Sequence, residues 1–225
     1  MKIAFAGTGY INHIHAQAAA NLGLELAAAV NHKAASMAKF GKRFGIARQY
    51  ALRAGVHVLV EKPMAMNARE AEKMTEASAR SGAALMVAHC WRFDEDVLWL
   101  KKQASRLGRI IRTKGYGVHS HWGPSGWFTQ KKFAGGGALA DMGIHALDTA
   151  RFLLGDPRPV SVYARIGTHY KNFDVDDTGV ILVEWEGGAA SYIESGWWQP
   201  HSDGPEAATQ LYGAKGFGQL FPTQL

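Results

Sequence analysis

Short apolar runs alternate with amphipathic stretches over the first ninety residues. Lys2–Ala6 is a mostly apolar run that stops on Gly7 and predicts a buried strand. Ile11–Leu22 is alanine-rich and helix-like, and Glu25–Val30 is a second short apolar run. Ala34–Phe44 is amphipathic and ends at Gly45, as a second helix would. Strand–helix–strand–helix is the pattern of a parallel α/β sheet. After Arg48-Gln49-Tyr50 the chain runs straight into Ala51-Leu52-Arg53-Ala54-Gly55, which reads as the last turn of a helix, and then into the apolar run Val56–Val60. A doubly wound half carries a third parallel strand here, and one strand with its crossover helix takes roughly 30 residues. A segment is therefore expected to be absent at the Tyr50/Ala51 junction, deleted or left outside this sequence.

Ala68–Ser81 predicts a helix stopped by Gly82, and Ala84–Ala88 another strand. From Asp94 the pattern changes. Val97–Leu107 predicts a helix, and Arg109–His119 alternates like a half-exposed strand. A loop rich in glycine and tryptophan, Trp122–Gly137, leads into one strong helix over Ala138–Leu154, closed by Gly155-Asp156-Pro157. Pro159–Ile166, Thr178–Trp185 and Ala189–Trp197 predict antiparallel strands, with Glu186-Gly187-Gly188 as the hairpin turn between the last two. The fold class is thus α/β, with residues 1–93 Rossmann-like and residues 94–225 an α+β domain with a large, mostly antiparallel sheet. The chain stops at Phe221-Pro222-Thr223-Gln224-Leu225 with no closing helix, so a C-terminal truncation is expected.

Composition narrows the class without changing this picture. With 225 residues, 47% of them apolar and 20% charged, the chain can bury a core and is not disordered. The net charge is +6, but Lys39, Lys42 and Arg43 lie apart from Lys101, Lys102, Arg106 and Arg109, and no nucleic-acid motif surrounds either group. No apolar run reaches the roughly 18 residues a spanning helix needs, so no membrane partner is expected. A single cysteine, Cys90, and an N-terminus unlike a signal peptide point to a reducing, cytoplasmic home.

Three stretches carry candidate chemistry. Gly7-Thr8-Gly9-Tyr10-Ile11-Asn12 follows a strand and opens a helix. Gly7 suits the tight turn, Gly9 allows a pyrophosphate close to the backbone, and the helix N-terminus offers N–H groups and a positive dipole to phosphate. Asn12 stands where the third glycine of that fingerprint is expected. An NAD-selective site usually places an acid after the second strand to hold the ribose 2′-hydroxyl. Asn31-His32-Lys33 has none, and a lysine can pair with a 2′-phosphate, which favours NADP over NAD. Second, Val56–Val60 ends in Glu61-Lys62-Pro63, which sets a lysine at a strand carboxyl end, where open α/β sheets bind ligands. Third, Gly135-Gly136-Gly137 precedes a helix on which Asp141, His145 and Asp148 share one face. A histidine there can take a proton near neutral pH, and a nearby carboxylate would orient it and raise its basicity.

Together these stretches resemble the Gfo/Idh/MocA oxidoreductases. The resemblance covers nearly the whole chain: the Gly7–Ile11 turn with His15 in the following helix, Ala51 through Pro63, Trp91-Arg92-Phe93, and Gly135 through Asp148. It implies that Lys62, Asp141 and His145 form the catalytic set, with hydride passing between nicotinamide and a sugar or polyol carbon. In that mechanism His145 takes the hydroxyl proton, Lys62 steadies the developing alkoxide, and Asp141 orients substrate or histidine. It also implies that Trp127 and Phe128 lie near the cofactor, and that the segment absent at Tyr50/Ala51 would otherwise carry cofactor contacts. Members usually continue past Leu225 with a C-terminal helix. Asn12 stands where Gly or Ala is expected, and Cys90 where Asn often is.

Two other readings remain open on the sequence. His119-Ser120-His121 on a strand would put both imidazoles on one face and, with Asp141 and His145, could make a divalent-metal hydrolase. An inactive family member that senses NAD(P) or sugar and binds a partner protein is the second. The preferred reading needs no metal. Its partners are a small-molecule carbohydrate and a second copy of the chain, in a homodimer or homotetramer that covers the outer face of the sheet.

Overall fold

The computed structural model describes residues 2–30, 57–201 and 204–225. The expected helix over Ala34–Phe44, the candidate cofactor residues Asn31, His32 and Lys33, and the Tyr50/Ala51 junction lie outside the described residues. The rest falls into two compact units, one holding residues 2–30, His57 and Ser81–Ala83, the other residues 58–80 and 84–225. Among the described residues no helix is long and apolar enough to cross a membrane.

In the first unit β1 (Lys2–Ala6) pairs in parallel with β2 (Glu25–Val30), from Lys2↔Glu25 to Ala6↔Val30. Parallel neighbours need a crossover, and α1 (Tyr10–Asn21) supplies it. Its alanine-rich face lets helix and strands approach closely, so Ala16 and Ala29 pack with Phe5 in a small core.

In the second unit β3 (Val58–Glu61) runs parallel to β4 (Leu85–Ala88), with α2 (Ala68–Ser81) between them in sequence. A 3₁₀ turn at Cys90–Phe93 follows, then α3 (Glu95–Gln103). Asp94 caps α3 by accepting from the Asp96 and Val97 amides at 2.9 and 3.2 Å, so the helix begins two residues before its apolar pattern does. Its expected last turn is a 3₁₀ turn over Ala104–Leu107.

The remaining strands form one six-stranded sheet in the order β10-β9-β5-β8-β7-β6. They are β5 (Ile110–Ser120), β6 (Pro159–Gly167), β7 (Thr178–Trp185), β8 (Ala190–Gln199), β9 (Ala207–Gly213) and β10 (Gly216–Leu220). All pairs are antiparallel except β5 with β8. The last two strands were not anticipated. Glycines interrupt both, and Gly213 must be small because a methyl there would sit 2.2 Å from the Leu107 carbonyl oxygen.

The strong helix expected over Ala138–Leu154 is two structures. A π-helical turn, Leu139–Gly143, leads into α5 (Ile144–Leu153), and α4 (Lys131–Ala134) precedes the glycine triplet. Helix α5 lays Ala146 and Ala150 on the sheet against Ile181, Val183, Trp185 and Ile193. Small residues set this approach: a methyl on Gly115 would lie 3.2 Å from the Ala146 Cβ. Tyr163, Leu182 and Tyr192 form an exposed apolar row across β6, β7 and β8.

Candidate active site

In the first unit the turn after β1 is made by the backbone. Gly7 has φ +94°, a region only glycine enters without strain. Asn12 donates from Nδ2 to the Ala6 and Gly7 carbonyls at 3.0 and 3.1 Å, so the residue in the third-glycine position staples the turn. Gly9 caps α1 with extended backbone, and a methyl there would meet no atom within 4 Å. Thr8 is buried, Tyr10 and Ile11 are exposed, and the first turn of α1 holds no acid. Open space, a helix N-terminus and the absence of negative charge suit a dinucleotide pyrophosphate.

In the second unit Lys62 follows directly on β3, and Asp141 sits in the π-helical turn, 79 residues away in sequence. The Lys62 ammonium donates to Asp141 Oδ1 at 2.7 Å and to the Asp141 carbonyl at 3.0 Å. Both side chains are largely buried, at 16% and 18% exposure, so this charge-assisted pair is screened less than a surface pair. The wide turn presents backbone and side-chain oxygens of one residue to the same ammonium, a geometry in keeping with the frequent use of π-turns at functional sites. The other oxygen, Asp141 Oδ2, accepts from the indole Nε1 of Trp197 at 3.3 Å. Each carboxylate oxygen therefore has a donor, Lys62 on one and Trp197 on the other.

His145 opens α5 and stacks on Trp91, with ring centroids 5.0 Å apart. Its pKa is lowered to about 4, first by burial and then by the Lys62 charge, with Asp141 and Asp148 opposing. Loss of hydration thus outweighs the carboxylates, and the expected rise in basicity is not found. The imidazole is neutral at pH 7 and can accept a proton.

Asp148 shares the helix with His145 but is committed elsewhere. Arg92 grips it with Nε and Nη2, both at 2.8 Å, and reaches Asp156 Oδ1 at 2.7 Å. His89 Nδ1 is 3.6 Å from Asp148 Oδ2, too long for a hydrogen bond. The Arg92 network ties the turn after β4 to the middle of α5 and to the turn that follows it, and so holds the helix that carries His145.

The glycine triplet has a steric cause. A methyl on Gly137 would lie 1.8 Å from the Asp176 carbonyl oxygen, and Gly135 has φ +75° against Met66. The Asp176 carboxylate accepts from the Gly137 and Leu139 amides, each at 2.8 Å, and caps the start of the π-helical turn. Asp176 was not singled out from the sequence. The triplet itself was the available signal for a close backbone neighbour. A cavity of about 360 Å³ lies behind this region, lined by Pro63, Met66, Gly136, Leu139 and Ile144 among others, and its lining does not include Lys62, Asp141 or His145.

Other expected site residues are placed as follows. Glu61 ends β3 beside Lys62. Trp127 and Phe128 stack on each other at 3.9 Å in a 3₁₀ turn over Gly126–Thr129. The paired imidazoles of His119 and His121 are a correction. Strand β5 ends at Ser120 and His121 turns away at φ +63°, while His119 is buried against the Trp122 ring. Among the described residues no three His, Cys, Asp or Glu side chains are grouped to hold a metal.

Known proteins carry the same architecture. The family model described as the GFO/IDH/MocA C-terminal domain matches residues 102–217, and that described as an oxidoreductase family with an NAD-binding Rossmann fold matches residues 47–89. The D-glucoside 3-dehydrogenase of Escherichia coli (strain K12) is 31% identical over 193 residues, covering 78% of this chain and 55% of its own. Levoglucosan dehydrogenase of Pseudarthrobacter phenanthrenivorans is 34% identical over 173 residues, covering 64% of this chain and 44% of its own. The chain thus spans about half the length of these curated relatives. Among solved structures, GenD2 from gentamicin A biosynthesis, in complex with NAD, aligns with a TM-score of 0.86 at 23% identity, over 97% of this chain and 71% of that one. That likeness speaks for the fold. Matched by the C-terminal family model over half of its length, the chain belongs to the GFO/IDH/MocA family of oxidoreductases.

Proposed function

We propose that this chain transfers hydride between a nicotinamide dinucleotide and a secondary alcohol or carbonyl of a sugar or polyol. The observation that carries the reading is the meeting of Lys62 with Asp141 at 2.7 Å, beside a neutral His145 that feels the Lys62 charge. The glycine turn of the first unit holds the pyrophosphate. NAD or NADP, when bound, supplies the hydride acceptor or donor. In the oxidative direction His145 accepts the hydroxyl proton as the carbon loses hydride, leaving a carbonyl and an imidazolium. Lys62, aimed by Asp141, donates a hydrogen bond to the same oxygen and stabilises its developing negative charge. The reverse sequence reduces a carbonyl, with His145 returning the proton. Relatives with sugar-derived substrate names at 31% and 34% identity favour a carbohydrate. A second copy of the chain covers the Tyr163–Leu182–Tyr192 row in a homo-oligomer, which light scattering of the purified protein would detect.

Fluorescence titration with NADH and NADPH, followed by turnover on aldoses, inositols and anhydro-sugars, tests the reading. Binding of one cofactor and turnover on at least one panel member is expected. Cofactor binding with no turnover on the whole panel would favour a sensing role instead. Near-normal turnover of Lys62→Ala would refute the assignment of the lysine.

A further inference from the structure

Strands β5 and β8 do not keep regular register at their carboxyl ends. Val118 faces Gly196, but Ser120 faces Gln199, so Trp197 and Trp198 together stand opposite His119. Such a bulge is rare in a parallel pair, and bulges re-aim side chains next to active sites. Trp198 adopts φ +56°, a conformation that costs free energy for a bulky side chain. The preceding residue, Trp197, is fully buried, and its indole reaches Asp141 Oδ2. Its backbone is fixed as well: the Trp197 amide donates to the Asp177 carbonyl at 2.8 Å, and the neighbouring Asp176 caps the turn that carries Asp141.

We propose that Trp197 is a positioning residue for the Lys62–Asp141 pair, one that rests on the function proposed above. The torsion that orients a carboxylate is broad and roughly two-fold, so one donor leaves it free to swing. Two donors on opposite oxygens pin it: Trp197 holds Oδ2, and Oδ1 stays on Lys62. The ammonium is then pre-aimed at the substrate oxygen and needs no reorganisation during hydride transfer, which is where electrostatic catalysis gains its effect.

Trp197→Phe keeps an aromatic ring in the core and removes the indole N–H together with part of the ring volume, so urea unfolding of the variant is measured beside its kcat. Its kcat is expected to fall about tenfold, the scale of one hydrogen bond to a charged group, with KM for sugar and dinucleotide within about twofold. Introduced into Asp141→Asn, the same change is expected to cost nothing further, because the two side chains act through one contact. A readout free of substrate comes from the ¹⁵N-indole spectrum of the seven tryptophans. The signal missing in Trp197→Phe identifies Trp197, and that signal is expected to move in Asp141→Asn. Wild-type kcat in Trp197→Phe, the same fold loss in both backgrounds, or an unmoved indole signal would each overturn the inference. A protein that turns over no substrate defeats the hydride-transfer reading instead, and the indole signal still decides whether the tether exists.

Discussion

At the Gly7–Asn12 turn, the asparagine contacts that staple the loop span five and six residues. At Lys62 the partner lies 79 residues along the chain. The first region presents backbone groups and open space, and almost any strand entering a helix through these glycines would form it. The second needs β3, the π-helical turn and β8 to arrive together, since the lysine, the aspartate and the indole come from three separate elements. Cofactor recognition and bond chemistry are therefore expected to respond separately to mutation.

The largest effect expected is on turnover. Lys62→Ala should lower kcat by at least about a thousandfold, the scale of a lost charge-stabilising donor, while NADH or NADPH titration curves stay within about twofold of wild type. Gly7→Ala should do the reverse: the methyl strains a φ of +94°, weakening dinucleotide affinity about tenfold with saturating turnover largely kept. If both variants lost the same quantity, the separation of roles would be wrong. Next in size is Arg92→Ala, which strips the guanidinium from Asp148, a carboxylate only 9% exposed, and from Asp156. A loss of about 3 kcal/mol or more is expected in urea unfolding, because a buried charge is left uncompensated.

A smaller effect is expected from acid. His145 has a folded pKa of about 4 and an ordinary unfolded value near 6.5, so the unfolded chain binds the proton first. The stability this group contributes is present above pH 6.5 and is lost as pH falls from there to 4, by roughly 2–3 kcal/mol. His145→Gln should flatten the stability profile in that window, and an unchanged slope would remove the imidazole from the account. Smallest is Asn12→Ala, which removes two hydrogen bonds at a largely exposed turn and should cost about 1 kcal/mol or less in thermal unfolding.

Much of this was legible from the residues. Ala68–Ser81 and Thr178–Trp185 form as their apolar spacing predicts, and Glu186-Gly187-Gly188 makes the turn, with both glycines at positive φ. The candidate residues Lys62, Asp141 and His145 were visible as motifs. The missed parts share a cause. Strands β9 and β10 hide because Gly213, Gly216 and Gly218 are set by close contact with Leu107 and Leu100, which breaks an alternating pattern. The paired-imidazole reading failed because a left-handed residue at His121 ends the strand one position too soon, and no local rule marks that residue.

Periodicity, glycine and capping chemistry act over a few residues, so the string of amino acids settles which segments become helix or strand and where the tight glycine turns fall. It also supplies the charged groups. Their partners are another matter. That Asp141 meets the lysine and an indole, that Asp148 belongs to Arg92, and that burial drives His145 to its neutral form depend on a widened helical turn and a slipped strand register. Those features arise from packing between segments tens of residues apart, and distance along the chain carries no record of which buried groups will share a donor or lose their water.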